Sequence, residues 1–502
     1  MELITLLSAL LVLAIVSLST FFVLYYNTPT KDGKTLPPGR MGWPFIGESY
    51  DFFAAGWKGK PESFIFDRLK KFAKGNLNGQ FRTSLFGNKS IVVAGAAANK
   101  LLFSNEKKLV TMWWPPSIDK AFPSTAQLSA NEEALLMRKF FPSFLIRREA
   151  LQRYIPIMDD CTRRHFATGA WGPSDKIEAF NVTQDYTFWV ACRVFMSIDA
   201  QEDPETVDSL FRHFNVLKAG IYSMHIDLPW TNFHHAMKAS HAIRSAVEQI
   251  AKKRRAELAE GKAFPTQDML SYMLETPITS AEDSKDGKAK YLNDADIGTK
   301  ILGLLVGGHD TSSTVIAFFF KFMAENPHVY EAIYKEQMEV AATKAPGELL
   351  NWDDLQKMKY SWCAICEVMR LTPPVQGAFR QAITDFTHNG YLIPKGWKIY
   401  WSTHSTHRNP EIFPQPEKFD PTRFEGNGPP AFSFVPFGGG PRMCPGKEYA
   451  RLQVLTFVHH IVTKFKWEQI LPNEKIIVSP MPYPEKNLPL RMIARSESAT
   501  LA

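Results

Sequence analysis

The chain has 502 residues, 45% of them hydrophobic and 13% aromatic, which is enough to bury a large core. Its 58 basic and 51 acidic residues leave a net charge of +7, a modest and scattered excess that favours an acidic protein partner or a lipid surface and excludes a nucleic-acid partner. The five cysteines are few, odd in number and scattered, which excludes a disulfide framework and indicates a reducing compartment.

The chain begins with an apolar segment long enough to cross a bilayer as a helix. Residues 3–26 carry no charge, and the only charge before them is Glu2. A cleaved signal peptide is the competing interpretation, but it would need basic residues first and a shorter apolar run. Lys31, Lys34 and Arg40 follow the segment, so the positive-inside rule places the rest of the chain in the cytoplasm. We therefore predict a transmembrane signal anchor over residues 1–26.

A stretch rich in proline and glycine separates this anchor from the remainder. Residues 27–49 contain Pro29, Pro37, Pro38 and Pro44, which prevent a continuous helix and make a semi-rigid hinge. No second linker and no internal repeat follow. The sequence therefore predicts one globular domain over residues 50–502.

Two segments of this domain show the pattern of short strands. The segments FRTSLFGNKSIVVAG (residues 81–95) and GWKIYWSTHST (396–406) alternate apolar and polar residues and are bounded by glycine. Most other segments have the spacing of amphipathic helices. The predicted fold class is mainly α with small β-sheets.

One long helix is predicted from Asn293, a capping residue, to the residues before Pro327. The charged residues within it make burial in protein more favourable than a second membrane span. Gly307 and Gly308 weaken it by roughly 1 kcal/mol each relative to alanine, a cost that close approach of a ligand would explain. Thr311 can return its hydroxyl to a carbonyl one turn earlier and open the helix. The neighbouring Asp310 can relay protons; a simple helix kink is the alternative.

Two further segments suggest a buried ionic network. Glu367 and Arg370 are three residues apart on a predicted helix with apolar neighbours, so they share one face and need additional partners. Arg423, in the segment FDPTRF, is the expected third member.

The loop FGGGPRMCPG (residues 437–446) presents Cys444 at the start of a helix. Loop N–H groups and the helix dipole favour a thiolate there. Gly446 would let a large flat group approach the backbone, and Arg442 offers a cation for an anionic group on it. These features describe a haem iron held by cysteine, whereas a structural cysteine after a glycine-rich turn is the alternative.

The loop matches the pattern Phe-x-x-Gly-x-Arg-x-Cys-x-Gly and resembles the haem-binding loop of cytochrome P-450 monooxygenases. The resemblance covers residues 35–490 and implies the cytochrome P-450 fold, haem b, and Cys444 as the axial iron ligand. It assigns haem contacts to Phe437, Arg442 and Gly446, and propionate binding to Arg138 and Arg380. Near Arg138 the sequence departs from the family pattern, because the tryptophan often found four residues earlier is Ala134.

The resemblance also assigns roles to the segments described above. It implies an oxygen cleft at Gly307 and Gly308, proton delivery by Asp310 and Thr311, and a structural network of Glu367, Arg370 and Arg423. The implied substrate pocket is apolar and contains Trp113, Leu304, Leu305, Val375, Ala378, Phe379 and Met481.

Segments such as LPPGRMGWPFIGES and IPKGWKIYWSTHSTHRNP look most similar to plant triterpenoid oxidases of the β-amyrin oxidase type, with taxoid hydroxylases as neighbours. The implied reaction inserts one oxygen atom from O2 into an unactivated C–H bond of a lipophilic triterpene. NADPH–cytochrome P-450 reductase would supply electrons at the endoplasmic reticulum membrane, with the catalytic domain in the cytoplasm. The alternatives are a diterpenoid (taxoid) or sterol hydroxylase, or a non-catalytic haem-binding membrane protein. The intact set of Gly308, Asp310 and Thr311 weighs against the last.

Overall fold

A computed structural model describes residues 33–122, 140–221, 223, 225–278 and 289–495, together with residues 12, 13, 15–17 and 20. Arg138 lies outside the described residues, as does most of the expected anchor.

Helices make up most of the described chain, as the sequence predicts. They are α1 (Ser49–Trp57), α2 (Pro61–Phe72), α3 (Ala96–Ser104), α4 (Pro116–Ala121), α5 (Arg148–Ala167), α6 (Ala179–Met196), α7 (Pro204–Ile221), α8 (Asn232–Ala259), α9 (Met269–Glu275), α10 (Asp294–Leu305), α11 (Thr311–Glu325), α12 (Pro327–Ala341), α13 (Trp352–Lys357), α14 (Lys359–Leu371), α15 (Thr403–His407) and α16 (Lys447–Lys464). Short π-helical segments occur at Pro142–Ile146 and Val306–Asp310, and 3-10 turns at Pro421–Phe424 and Gly440–Arg442.

The strands form four small sheets. They are β1 (Gln80–Leu85), β2 (Asn88–Val93), β3 (Val110–Met112), β4 (Ser174–Glu178), β5 (Gly377–Ala382), β6 (Phe386–His388), β7 (Tyr391–Ile393), β8 (Lys398–Ser402), β9 (Phe465–Gln469), β10 (Ile476–Val478), β11 (Pro482–Pro484) and β12 (Pro489–Ala494). The largest sheet has the order β1-β2-β8-β5-β3 and is antiparallel except between β2 and β8. The others are β4-β12-β9, β10-β11 and β6-β7.

Both predicted strand segments are found, but the second ends early. Strand β8 stops at Ser402, and the predicted strand residues 403–406 belong to α15. The Ser402 hydroxyl accepts a hydrogen bond from the Ser405 N–H at 3.1 Å, which satisfies a free donor in the first turn of the helix. An N-terminal cap therefore overrides the strand pattern.

The long helix predicted from Asn293 crosses the middle of the core. The Asn293 side chain accepts a hydrogen bond from the Asp296 N–H at 2.8 Å, so the predicted cap is confirmed. Among the described residues, Asp294–Glu325 is the helix long and apolar enough to cross a membrane, yet 67% of its most apolar window is buried in protein. Its second half packs Phe320 against Trp171 with ring centroids 5.4 Å apart. The candidate site lies along this helix.

Candidate active site

The long helix widens between Val306 and Asp310, where five residues form a π-helical turn between α10 and α11. The Thr311 hydroxyl donates to the Gly307 carbonyl at 2.7 Å. This bond occupies a carbonyl that a regular helix would pair with a backbone N–H, so it accompanies the opening of the helix. Gly307, Asp310 and Thr311 all line a large cavity.

The two adjacent glycines have different structural reasons. A Cβ atom added to Gly307 would meet nothing within 4 Å, because that direction opens into the cavity. A Cβ atom on Gly308 would come within 2.9 Å of the Phe195 ring. Both glycines line the cavity, as the resemblance implies; the missing side chain of Gly307 leaves open space there, whereas that of Gly308 allows the helix to pack closely against α6.

Asp310 is almost completely buried beside a lysine. Its Oδ1 atom lies 3.2 Å from Nζ of Lys218 in α7 and 3.5 Å from Nε2 of Gln184 in α6. Burial raises the pKa of the Asp310 carboxyl above its ordinary value, and the Lys218 ammonium acts in the opposite direction. The Lys218 side chain is 28% exposed, so it connects this buried carboxyl to the surface. No sequence pattern indicates Lys218, because its partner is 92 residues away.

The cysteine loop is held in a tight turn against helix α3. The Cys444 N–H donates to the Phe437 carbonyl at 2.8 Å. Gly440 has a φ of +63°, a conformation that favours glycine, and a Cβ atom there would overlap the backbone of Phe103. The glycines thus fix the position from which Cys444 enters the cavity.

The Cys444 thiol opens into the cavity. Cys444 is exposed within the cavity; the protein atoms around it nevertheless raise the pKa of its thiol by desolvation, while the Gly446 N–H lowers this pKa by hydrogen bonding. The sequence predicts a thiolate stabilised by loop amides, but burial outweighs that effect in the protein alone. A coordinating metal ion deprotonates a thiol outright, so a bound metal would supply the missing stabilisation.

Two arginines line the same cavity and share one carboxylate. Nε of Arg442 lies 3.1 Å from Oε1 of Glu106, and Nε of Arg380 lies 3.2 Å from Oε2. The Glu106 side chain is 2% exposed. The sequence around Glu106, SNEKK, resembles a solvated surface run, so its position between two buried cations gave no sequence signal.

Glu367, Arg370 and Arg423 come together away from the cavity. Arg370 makes two hydrogen bonds to the Glu367 carboxylate, at 2.6 and 2.8 Å, and Nε of Arg423 lies 3.4 Å from Glu367 Oε1. Arg370 also donates to the His407 and Lys418 carbonyls. This network ties α14 to the segment that precedes the cysteine loop.

The cavity has a volume of about 2640 Å³. Its lining includes the expected residues Leu304, Val375, Ala378, Phe379 and Met481, together with Phe437.

Two expected pocket residues do not line this cavity. Leu305 is fully buried and packs in the hydrophobic core. Trp113 packs against Phe379, with ring centroids 5.3 Å apart, and its neighbour Trp114 lines the cavity instead. In both cases an adjacent residue, Leu304 or Trp114, lines the cavity.

These side chains fit a haem. Cys444 offers a soft sulfur ligand for iron, and the two arginines offer cations for two carboxylates. The Gly446 Cβ direction meets only the Cys444 sulfur within 4 Å, and that of Gly307 is open, so neither the loop nor the helix obstructs a flat ligand. Fold and site together define a haem-thiolate protein.

The chain belongs to the Cytochrome P450 family, whose sequence profile matches residues 37–484. It is 57% identical to a beta-amyrin 28-monooxygenase of Vitis vinifera, over 95% of this chain and 96% of the relative. It is 55% identical to another protein of that name from Kalopanax septemlobus, with the same coverage. The solved structure of retinoic acid-bound cyanobacterial CYP120A1 superposes with a TM-score of 0.79 at 29% identity, covering 92% of this chain and 100% of that one.

Family membership implies a haem cofactor, the use of dioxygen and electrons delivered by a reductase. It also implies a lipophilic substrate, in agreement with the apolar residues of the cavity.

Proposed function

We propose that this chain is a membrane-anchored monooxygenase that oxidises carbon 28 of β-amyrin or a closely similar triterpene. The observation that carries the proposal is the sequence identity of 55–57% to two relatives named for that reaction, over almost their full length. The cavity supports it, because it is large and has aliphatic and aromatic side chains such as Leu304, Val375 and Phe379 in its lining.

The residues at the cavity have separate roles in binding the cofactor. Haem, when bound, supplies the iron at which dioxygen is activated. Cys444 Sγ would hold that iron, and Arg380 and Arg442 would bind the two carboxylates, joined by Arg138 on the basis of sequence alone. Phe437 and Gly446 would pack along the cofactor on the side of the loop.

Residues of the long helix would hold and deliver protons on the side of the cavity away from the cysteine loop. Thr311 presents its hydroxyl at the cavity, and the adjacent Asp310 carboxyl exchanges protons with the exterior through Lys218, 3.2 Å away. Because burial raises the pKa of Asp310, a proton is held at its carboxyl more readily than at an exposed aspartate. Glu367, Arg370 and Arg423 would stabilise the segment that leads to the cysteine loop.

The proposed setting is the endoplasmic reticulum membrane, with a single anchor over residues 1–26, a hinge over 27–49 and a cytoplasmic catalytic domain over 50–502. NADPH would be the electron source, through NADPH–cytochrome P-450 reductase. Trp43 and Phe45 are 79% and 72% exposed and line the cavity, so its entrance has an apolar rim suited to a lipid surface.

The experiment is turnover of three substrates by the full chain in microsomes with the reductase and NADPH. β-Amyrin, a taxane-type diterpene and a plant sterol are supplied separately, and the products are identified by mass spectrometry. We expect oxygenation of β-amyrin at carbon 28 with at least tenfold lower turnover of the other two. Preferential oxidation of the diterpene or the sterol would overturn the assignment.

A further inference from the structure

His309 belongs to the π-helical turn of the long helix, but its side chain is turned away from the cavity. Its neighbours Gly308 and Asp310 line the cavity, whereas His309 is fully buried and, among the described residues, is not part of that lining. Its imidazole packs against helices α6 and α7 instead. The roles proposed above do not use this residue, so its position needs a separate explanation.

The imidazole makes a hydrogen bond to helix α6. Its Nδ1 atom lies 2.8 Å from the hydroxyl oxygen of Thr187. That hydroxyl also donates its single proton to the Thr183 carbonyl at 2.9 Å. A carbonyl oxygen only accepts, so the hydroxyl donates to its own helix and accepts from the Nδ1–H group of His309. This bond joins the π-helical turn to α6.

Aromatic rings enclose the imidazole on its other sides. The ring centroids of Phe188, Phe211 and Phe214 lie 5.2, 5.9 and 5.0 Å from that of His309, at interplanar angles of 75–87°. Each contact has the edge-to-face geometry that aromatic pairs prefer. The bond to Thr187 and these three contacts together fix the orientation of the imidazole.

An imidazole is costly at this position. Burial lowers the pKa of His309 well below its ordinary value, and the Lys218 ammonium acts in the same direction, so the ring is neutral. Its Nε2 atom makes no hydrogen bond to any of the described residues. Leaving a buried polar atom unpaired costs free energy that a phenylalanine here would avoid. The bond from Nδ1 to Thr187 is the contact that a phenylalanine could not make.

The geometry of the turn determines where the next two side chains point. A π-helical turn holds one residue more than a regular helical turn. If the turn at Val306–Asp310 closed to regular geometry, the residues after it would rotate by about 100° about the helix axis relative to those before it. Such a rotation would turn Asp310 away from Lys218, and Thr311 away from the cavity. Contacts that keep the turn open therefore hold both side chains in place.

The contacts at the turn differ in their access to a ligand. The Thr311 hydroxyl donates to the Gly307 carbonyl at the cavity, where a ligand can compete for its proton. The bond from His309 to Thr187 lies outside the cavity lining, between two fully buried residues. A ligand in the cavity cannot compete for it. It therefore persists when the Thr311 hydroxyl turns toward a ligand.

We propose that His309 is a positioning residue, because its hydrogen bond to Thr187 keeps the π-helical turn open and so holds Asp310 and Thr311 where they deliver protons. This inference rests on the proposed function, which assigns proton delivery to those two residues. It also gives Thr187, which does not line the cavity, an influence on the reaction.

The test removes one hydroxyl at a time from helix α6 of the haem-loaded full chain in nanodiscs. Thr187→Val deletes the partner of His309 with little change in side-chain volume. Thr183→Val is the matched control, because Thr183 is equally buried and its hydroxyl donates to carbonyls of α6 itself, at 2.7 and 2.8 Å. Thr187→Ser keeps the hydroxyl and should behave like the parent.

Two readouts are taken from each variant. Deuterium exchange of the backbone amides of residues 304–312 should be about tenfold faster in Thr187→Val, because a lost hydrogen bond that leaves a buried donor unpaired corresponds to roughly a factor of ten. With the reductase and NADPH, this variant should release roughly twofold more hydrogen peroxide per NADPH while binding β-amyrin about as tightly as the parent. Thr183→Val should match the parent in both readouts.

Substitutions of His309 itself provide an independent test. His309→Asn places an amide near the position of Nδ1 and should retain most of the coupling between NADPH consumption and product formation. His309→Phe completes the aromatic enclosure without the hydrogen bond. It should fold and bind haem but release more hydrogen peroxide per NADPH.

The inference is overturned if Thr187→Val exchanges and couples like the parent, if Thr183→Val changes both readouts to the same extent, or if His309→Phe couples like the parent. The exchange measurement needs no substrate, so it judges the positioning contact independently of the reaction. A parent that oxygenates no triterpene, with faster exchange in Thr187→Val, contradicts the proposed function but supports the role of His309 in the turn.

Discussion

The Thr311 hydroxyl has one hydrogen bond within the helix, to the Gly307 carbonyl, and the side chain also lines the cavity. Ser313 provides a comparison on the same helix. Its hydroxyl donates to the Asp310 carbonyl at 2.9 Å but is fully buried and absent from the cavity lining. The Thr311 hydroxyl can therefore contact a ligand, whereas the Ser313 hydroxyl only stabilises the helix.

We expect Thr311→Ala to retain substrate binding and NADPH consumption but to form less product. The physical reason is that reduced oxygen then lacks a positioned proton donor and leaves as hydrogen peroxide. Product and peroxide per NADPH are measured together. Ser313→Ala should match the parent, and Thr311→Ser should recover most of the coupling. An unchanged product-to-NADPH ratio in Thr311→Ala would return Thr311 to a purely structural role.

Glu106 is a residue of the site that the sequence does not indicate. It places a buried negative charge between Arg380 and Arg442, 3.1–3.2 Å from each. We expect Glu106→Gln to raise the haem reduction potential by on the order of tens of mV, because losing an anion near the cofactor favours the added electron. Redox titration provides the measurement, with Glu106→Asp as the charge-preserving control. A potential equal to that of the parent would show that Glu106 only supports the fold.

At the scale of elements, the long helix and its cap could be predicted from the sequence, but the side chains that face the cavity and the pairs formed with other helices could not. Asn293, the two adjacent glycines and Thr311 act through neighbours within the helix, so their structural effects can be predicted from the local sequence. The family resemblance implies that Leu305 and Trp113 line the cavity, but a resemblance between segments does not show which neighbouring side chain faces a ligand in this chain. The alternating pattern extends the predicted strand to residue 406, but the Ser402 cap starts a helix at residue 403. Tertiary pairs such as Lys218 with Asp310 leave no pattern in one sequence.

The two glycines of this helix should respond differently to alanine. Gly308→Ala meets the Phe195 ring and should destabilise the protein by about 1–3 kcal/mol, partly offset by better helix propensity. Gly307→Ala meets no protein atom and should leave thermal stability near that of the parent. Its methyl group enters the cavity, so it should weaken substrate binding instead. Thermal unfolding and spectral titration distinguish the two effects, and the reverse pattern would contradict these assignments.

At the scale of the molecule, the family fold was predictable from a few motifs that bind one cofactor. Cys444, Arg442 and Gly446 lie within ten residues and indicate a haem-thiolate site, and the motif that contains them resembles a family whose fold is known. The size of the cavity and the entrance formed by Trp43 and Phe45 depend on distant segments that meet only in three dimensions. Their arrangement could not be derived from local sequence.

Removal of residues 1–26 should leave a haem-loaded domain with weaker membrane attachment. Residual binding is expected, because Trp43, Phe45 and Trp230 are 72–79% exposed. Vesicle flotation measures the attachment, and the reduced carbonyl spectrum measures haem loading. Replacing Trp43 and Phe45 with serine in the shortened chain should lower the residual binding further. Loss of haem on truncation would show that the segment belongs to the core.

The most direct measurement of the central claim is isotopic. The full chain, the reductase and NADPH are incubated with β-amyrin under oxygen-18-labelled dioxygen, with Cys444→Ser in parallel. The account predicts a product oxygenated at carbon 28 that carries the label, and none from Cys444→Ser. A product without the label, or equal labelled product from Cys444→Ser, would contradict it.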